Sequence, residues 1–219
     1  MSTIHSAHKV TRSPQRAERR PGSGAPLAAA LFALAGVLFV LYPVLRPYSS
    51  EAGLAGARAF GSDRWVLAHL CGMVAFGCLA AAICSLTAQR LPRVSALLGV
   101  GLILPYYGAE TFGLHALGRA ALDRGEGSLT SVADTVRDNP LALTMFGAGW
   151  IVLALAGVAV TRALWLRDVR TGAALVGAGM VLYLPQFFGP PWLRIAHGVV
   201  LGVGLVIVAV RLNRKAAVG

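Results

Sequence analysis

Between residues 27 and 210 the chain carries six apolar stretches, joined by short connections that carry most of its arginines. A helix rises 1.5 Å per residue and the hydrocarbon layer is about 30 Å thick, so runs near 20 residues match a bilayer. Inside lipid, each backbone N–H and C=O must be satisfied within the segment, which favours helices. The expected fold is therefore all-α: a polytopic membrane bundle of six transmembrane helices. The spans are expected at 27–45, 65–88, 94–117, 141–163, 172–188 and 192–210, within one transmembrane domain covering 27–212.

Composition supports the same solvent. Hydrophobic residues make up 56% of the chain and charged residues only 13%, where soluble domains carry about a quarter. The formal charge of +11 would suggest nucleic acid in a soluble protein. Here no soluble segment is long enough to present a basic patch, and nucleic acid is not an expected partner. The cations fall instead at helix ends and in the tail 1–26, where orientation and anionic headgroups account for them.

That tail is rich in Pro, Gly and Ser and is expected to be disordered and cytoplasmic; residues 213–219 are expected to form a second cytoplasmic tail. The first apolar run exceeds a usual signal-peptide core, so it reads as a retained helix. With the N-terminus inside, 13 of the 20 basic residues lie on the inner side, and the other seven meet six acids outside. Both termini are thus expected in the cytoplasm. Eighteen Arg against two Lys, with abundant Ala, Gly, Val and Leu, points to a GC-rich bacterium and hence to its plasma membrane.

Cys71, Cys78 and Cys84 all fall in the second run and form no CxxC, so they read as packing residues. Of the two longer outer segments, 46–64 and 118–140, the second repeats Leu129, Val132, Ala133 and Val136 at helical spacing. This predicts a short amphipathic helix lying on the outer surface, with a lid as the alternative. The motifs LGVGLILPYYG (98–108) and VGAGMVLYLPQFFG (176–189) share G-x-G, Leu-Pro, two aromatics and Gly, a faint internal repeat. Pro105 and Pro185 should kink their helices and open space toward the outer leaflet. Gly198 and Gly202 form a GxxxG, predicting a tight crossing or the face of a homo-oligomer.

Polar residues within the spans share one level near the outer rim. His69, Glu110 and His197 are ionisable, Arg194 lies nearer the surface, and Tyr106, Tyr107 and Gln186 sit beside them. A charge in hydrocarbon costs about 2.5–3.5 kcal/mol, less toward the interface, so Glu110 needs a partner. Arg194, His69 and His197 are the expected ones. Glu110 with Arg194 could also simply pin two helices, with the aromatics as an interfacial belt. His115, rotated away from Glu110, is expected outside the site.

These seven residues predict an outward-facing polar pocket that binds or moves a small solute, an ion or a lipid ligand. Two alternatives use the same residues. One is an intramembrane enzyme acting on a lipid or isoprenoid substrate, with His69, Glu110 and His197 as zinc ligands or acid–base groups; the other is a b-type haem protein using His69 and His197. No HExxH, phosphate loop or nucleophile elbow supports a metal or cofactor assignment. A structural accessory subunit is the third possibility.

Overall fold

Local signals start the helices where the chain leaves its loops. In the computed structural model, which describes residues 24–218, α1 (Ala25–Leu45) opens on Pro26, a residue pre-set for a first helical turn. A short α2 (Gly53–Phe60) precedes α3 (Asp63–Leu86), whose N-cap Ser62 accepts a hydrogen bond from the Trp65 amide at 3.2 Å. Asp63 adds negative charge to that first turn. Next come α4 (Arg90–Gly108), a π-helical turn (Ala109–Gly113) and α5 (Leu114–Arg124). A 3-10 turn (Gly127–Ser131) leads into α6 (Val132–Arg137). Asn139 and Pro140 then start α7 (Pro140–Trp165), with the Asn139 side chain accepting from the amides of Leu141 and Ala142. The chain finishes with α8 (Arg170–Val181), α9 (Tyr183–Gln186) and α10 (Pro191–Val218). No strand occurs among the described residues.

Five helices are long and apolar enough to cross a membrane: α1, α3, the continuous 35-residue helix from Arg90 to Arg124, α7 and α10. The sixth expected span, 172–188, is not one helix. It breaks at Leu182, between the 12-residue α8 and the single turn of α9. Pro185 has no N–H to return to residue 181 and crowds the turn before it, and the Gly189-Pro190-Pro191 reversal follows at once. Pro105 stands in the matching motif, yet its helix runs on through the π turn and the chain continues far beyond the expected end at 117. The expected tail falls mostly in residues 1–23, outside the described residues.

Neighbour order follows chain order. The helices pack α1–α3–α4–α7–α8–α10, and α10 closes back onto α1. Aromatic, small and aliphatic residues pack inward, and further aliphatic residues stand on the outer faces. Phe39, Phe76, Tyr107, Trp150 and Tyr183 are all buried and meet at the centre, with centroid distances such as 4.9 Å for Phe39–Phe76 and 4.4 Å for Trp150–Tyr183. Outward positions are Leu34, Val74, Leu98, Ile151, Leu155 and Val203, each roughly half exposed or more. A soluble bundle keeps its outer face polar; here the outer face is aliphatic as well as the core, and that suits lipid.

Gly198 and Gly202 are used within the chain. A Cβ at Gly202 would stand 2.6 Å from the Gly36 carbonyl oxygen, and one at Gly198 would stand 2.6 Å from that of Phe39. The GxxxG therefore lets α10 cross α1 at backbone contact, and the face expected to be open to a second copy is covered.

The helix from Arg90 to Arg124 is roughly 50 Å long at 1.5 Å per residue, so it overshoots a 30 Å hydrocarbon layer. Its overhang, α5, packs with α2 and the 3-10 turn into a cap over one end of the bundle. The cap has its own core of Phe60, Trp65, Leu114 and Ala133, with Val136 packed against it. Of the segment's apolar residues, Ala133 is buried in this core and Val136 packs against it, while Val132 stays 45% exposed.

Candidate functional site: a capped cavity with a charged wall

Three tethers hold the main polar residues in place. α3 begins at the Ser62 cap, which sets Trp65 one turn in, and the Trp65 indole N–H donates to the Glu110 backbone carbonyl at 2.7 Å. One turn further on, His69 Nδ1 lies 2.7 Å from the Trp65 carbonyl oxygen, which turns Nε2 toward Glu110. Glu110 itself sits in the π turn that follows Pro105, where the helix is widened by one residue and the side chain is re-aimed.

The Glu110 carboxylate is gripped from the cap. Arg137, the last residue of α6, donates from Nε to Oε1 at 2.5 Å and from Nη2 to Oε2 at 3.1 Å. Its Nη1 reaches Glu51 Oε2 at 2.6 Å, and Glu51 Oε1 in turn accepts from Arg46 Nη2 at 2.9 Å. His69 Nε2 stands 4.0 Å from Glu110 Oε2 at the end of the chain. The order Arg46–Glu51–Arg137–Glu110–His69 joins α1, the loop after it, the cap and two spanning helices. Burial by itself would lower the affinity of Arg137 for its proton. The hydrogen bonds and charge of Glu110, with the charge of Glu51, outweigh that and raise its pKa above the ordinary arginine value.

Beside this network lies a cavity of about 670 Å³, within the range of sites that enclose drug-sized ligands. Arg46, Glu51, His69, Glu110 and Arg137 line one side, and Phe146, Leu143, Leu184, Phe187 and Phe188 line the other. Tyr106, stacked on Phe146 at 4.2 Å, and Tyr107 complete it. Both Leu-Pro-aromatic-aromatic motifs thus deliver their aromatic pairs to one space. Tyr107 also belongs to the central aromatic cluster, so the cavity ends on packed rings.

Of the residues expected from sequence, His69, Tyr106, Tyr107, Glu110 and Arg194 line this cavity. Gln186 and His197 face a much smaller adjoining pocket, which shares Tyr42, Arg46, Tyr48, Phe187 and Arg194 with the cavity. There His197 Nε2 is 2.8 Å from the Gly179 carbonyl oxygen. Arg194 does not pair with Glu110. It donates from Nη2 to the Phe187 carbonyl at 2.6 Å and from Nε to that of Gly189 at 3.2 Å, closing the turn between α9 and α10. His115 lies in the cap, its Nδ1 3.0 Å from the Phe60 carbonyl oxygen.

Sequence reasoning missed Arg137, Arg46 and Glu51, because all three stand in segments read as extramembrane and were counted only as topological charges. One signal was there to find: Arg137 is four residues after Ala133, hence on the buried face of its amphipathic segment. The zinc alternative needs His69, Glu110 and His197 together, whereas His69 stands by Glu110 and His197 is held at the Gly179 carbonyl. Among the described residues, no three His, Cys, Asp or Glu side chains gather as a ligand set. Compared with protein-family models, curated proteins and solved structures, the chain has no match.

Proposed function

We propose that this is a small integral membrane protein of a bacterial plasma membrane, with six crossings and both termini cytoplasmic, that binds a small solute in its capped cavity from the outer side. The supporting observation is the cavity itself, with an ionic network on one wall and aromatic and aliphatic side chains on the other. α8 and α9 serve as the sixth crossing in this reading, which fits their place between α7 and α10 in the closed ring. The cap, with its acids interspersed among the arginines, then faces outward, and the Arg-rich turns at 90–93 and 162–170 face the cytoplasm. The central rings support binding rather than open conduction, since they fill the middle of the bundle.

A thermal-shift screen of the protein in lipid nanodiscs, against small amines, organic acids, alcohols and inorganic ions, tests this reading. Gly147→Phe is the control: a Cβ at Gly147 meets nothing within 4 Å and the residue lines the cavity, so the ring fills it. At least one solute class should stabilise the wild type and leave Gly147→Phe unmoved. Stabilisation by none, or equal stabilisation of both proteins, refutes the binding role.

A further inference from the structure

We infer that the cavity takes an amphiphile with an acidic head, a carboxylate or phosphate carrying an apolar chain, held by donors that the ionic network leaves free. This rests on reading the cavity as a solute site and adds the chemical class of the solute.

Acceptors on the charged wall are already engaged. All four carboxylate oxygens of Glu51 and Glu110 hold a guanidinium N–H. Among the groups left over, Arg46 Nε can only donate, whereas the tyrosine hydroxyls can also accept. Arg46 Nε, the Tyr48 hydroxyl and the Tyr107 hydroxyl are buried with no hydrogen-bond partner among the described residues, and all three residues line the cavity. A guanidinium N–H can only donate, so the complementary group must accept. Buried donors without a partner are rare, and three around one space mark where a ligand's oxygens would go. Charge agrees with this: the lining holds three guanidiniums, Arg46, Arg137 and Arg194, against two carboxylates, and Arg194 is held by backbone carbonyls rather than by an acid. The rest of the ligand is specified by Phe146, Leu184, Phe187 and Phe188, whose side chains add apolar surface to the same lining, and Gly147 keeps the space open.

Such a head could come from an anionic lipid or from a free organic acid. The test uses hexanoate, hexylammonium and hexanol against the protein in phosphatidylcholine nanodiscs, by calorimetry. Hexanoate should bind at least tenfold more tightly than the other two. Tyr107→Phe and Tyr48→Phe each remove a hydroxyl that has no protein partner, so neither should lower the stability of the unliganded protein. Each should nevertheless weaken hexanoate about tenfold or more, as expected for a lost hydrogen bond to a charged group. Gly147→Phe should abolish binding by filling the space for the chain. Native mass spectrometry from discs containing phosphatidylglycerol separates the sources: a retained lipid that hexanoate displaces indicates a lipid ligand, and hexanoate binding with no retained lipid indicates a free acid. Equal affinity for the three heads, preference for hexylammonium, or full hexanoate affinity in both Phe variants overturns the inference. The general binding role would survive those results, because it needs only some solute that Gly147→Phe excludes.

Discussion

Replacing Arg137 with Met isolates the tether between cap and bundle. In the native protein this side chain makes three charge-assisted hydrogen bonds, two to Glu110 and one to Glu51. Glu51 keeps Arg46 after the substitution, whereas Glu110 keeps only His69 at 4.0 Å. The dominant loss is therefore the stranding of Glu110, whose side chain is 12% exposed. Breaking a buried pair by removing one partner costs about 3–5 kcal/mol. The 20% exposure of Arg137 lets water reach the site and places this case at the lower end. Contact of the guanidinium with the Phe60 ring, 5.4 Å from its centroid, adds about 0.5–1 kcal/mol. A total near 3–4 kcal/mol corresponds to a fall in Tm of roughly 6–15 °C for a chain of this size. Glu110→Gln placed on top of Arg137→Met removes the stranded charge, so the double variant should regain about 1–2 kcal/mol over Arg137→Met alone. Unfolding followed by tryptophan emission reads all four proteins, since Trp65 donates directly to the Glu110 backbone. An Arg137→Met midpoint within about 1 °C of wild type, or a double variant equal to the sum of the singles, would refute a cap latched through this ion pair.

Gly202→Leu forces side-chain atoms against the Gly36 carbonyl and Val40, so thermal unfolding should show a loss of about 1–3 kcal/mol or more. Gly147→Ala meets nothing and should stabilise by about 0.5–1 kcal/mol through helix propensity; a loss there would contradict the open cavity. Asn139→Ala removes the acceptor for two amides at the start of α7 and should lower stability by about 1 kcal/mol, measurable as faster hydrogen exchange at Leu141 and Ala142. Burial raises the Tyr48 hydroxyl above its ordinary pKa near 10, with Arg46 opposing. Below that value both folded and unfolded chains hold the proton; above it the unfolded chain releases its proton first, so stability falls as pH rises toward the folded pKa. Tyr48→Phe should remove that share of the alkaline loss in a Tm-against-pH series, and an unchanged slope would count against the burial of this hydroxyl.

Hydropathy alone located the spanning helices, because the preference of Leu, Val and Ala for lipid is a property of each residue and sums along a short window. It also marked Glu110, His69 and the two tyrosines, since an ionisable group or paired rings in an apolar run stand out without reference to anything distant. The same window did not register the break within 172–188, where Pro185 and the Gly-Pro-Pro turn divide the segment into α8 and α9. It could not choose between an interfacial helix and a cap for residues 127–137, because the choice depends on whether α2 and α5 supply an apolar partner. The identity of the cation on Glu110 is likewise a fact of packing: Arg137 lies 27 positions away, and its second partner Glu51 lies 86 positions away. Arg194, nearer by topology, is taken by backbone carbonyls that exist only because the chain reverses at Gly189. Local free energies of transfer decide which segments enter the bilayer. Which charges meet, which donors stay without a partner and where a cavity remains are decided by long-range register, and no local sum contains that term.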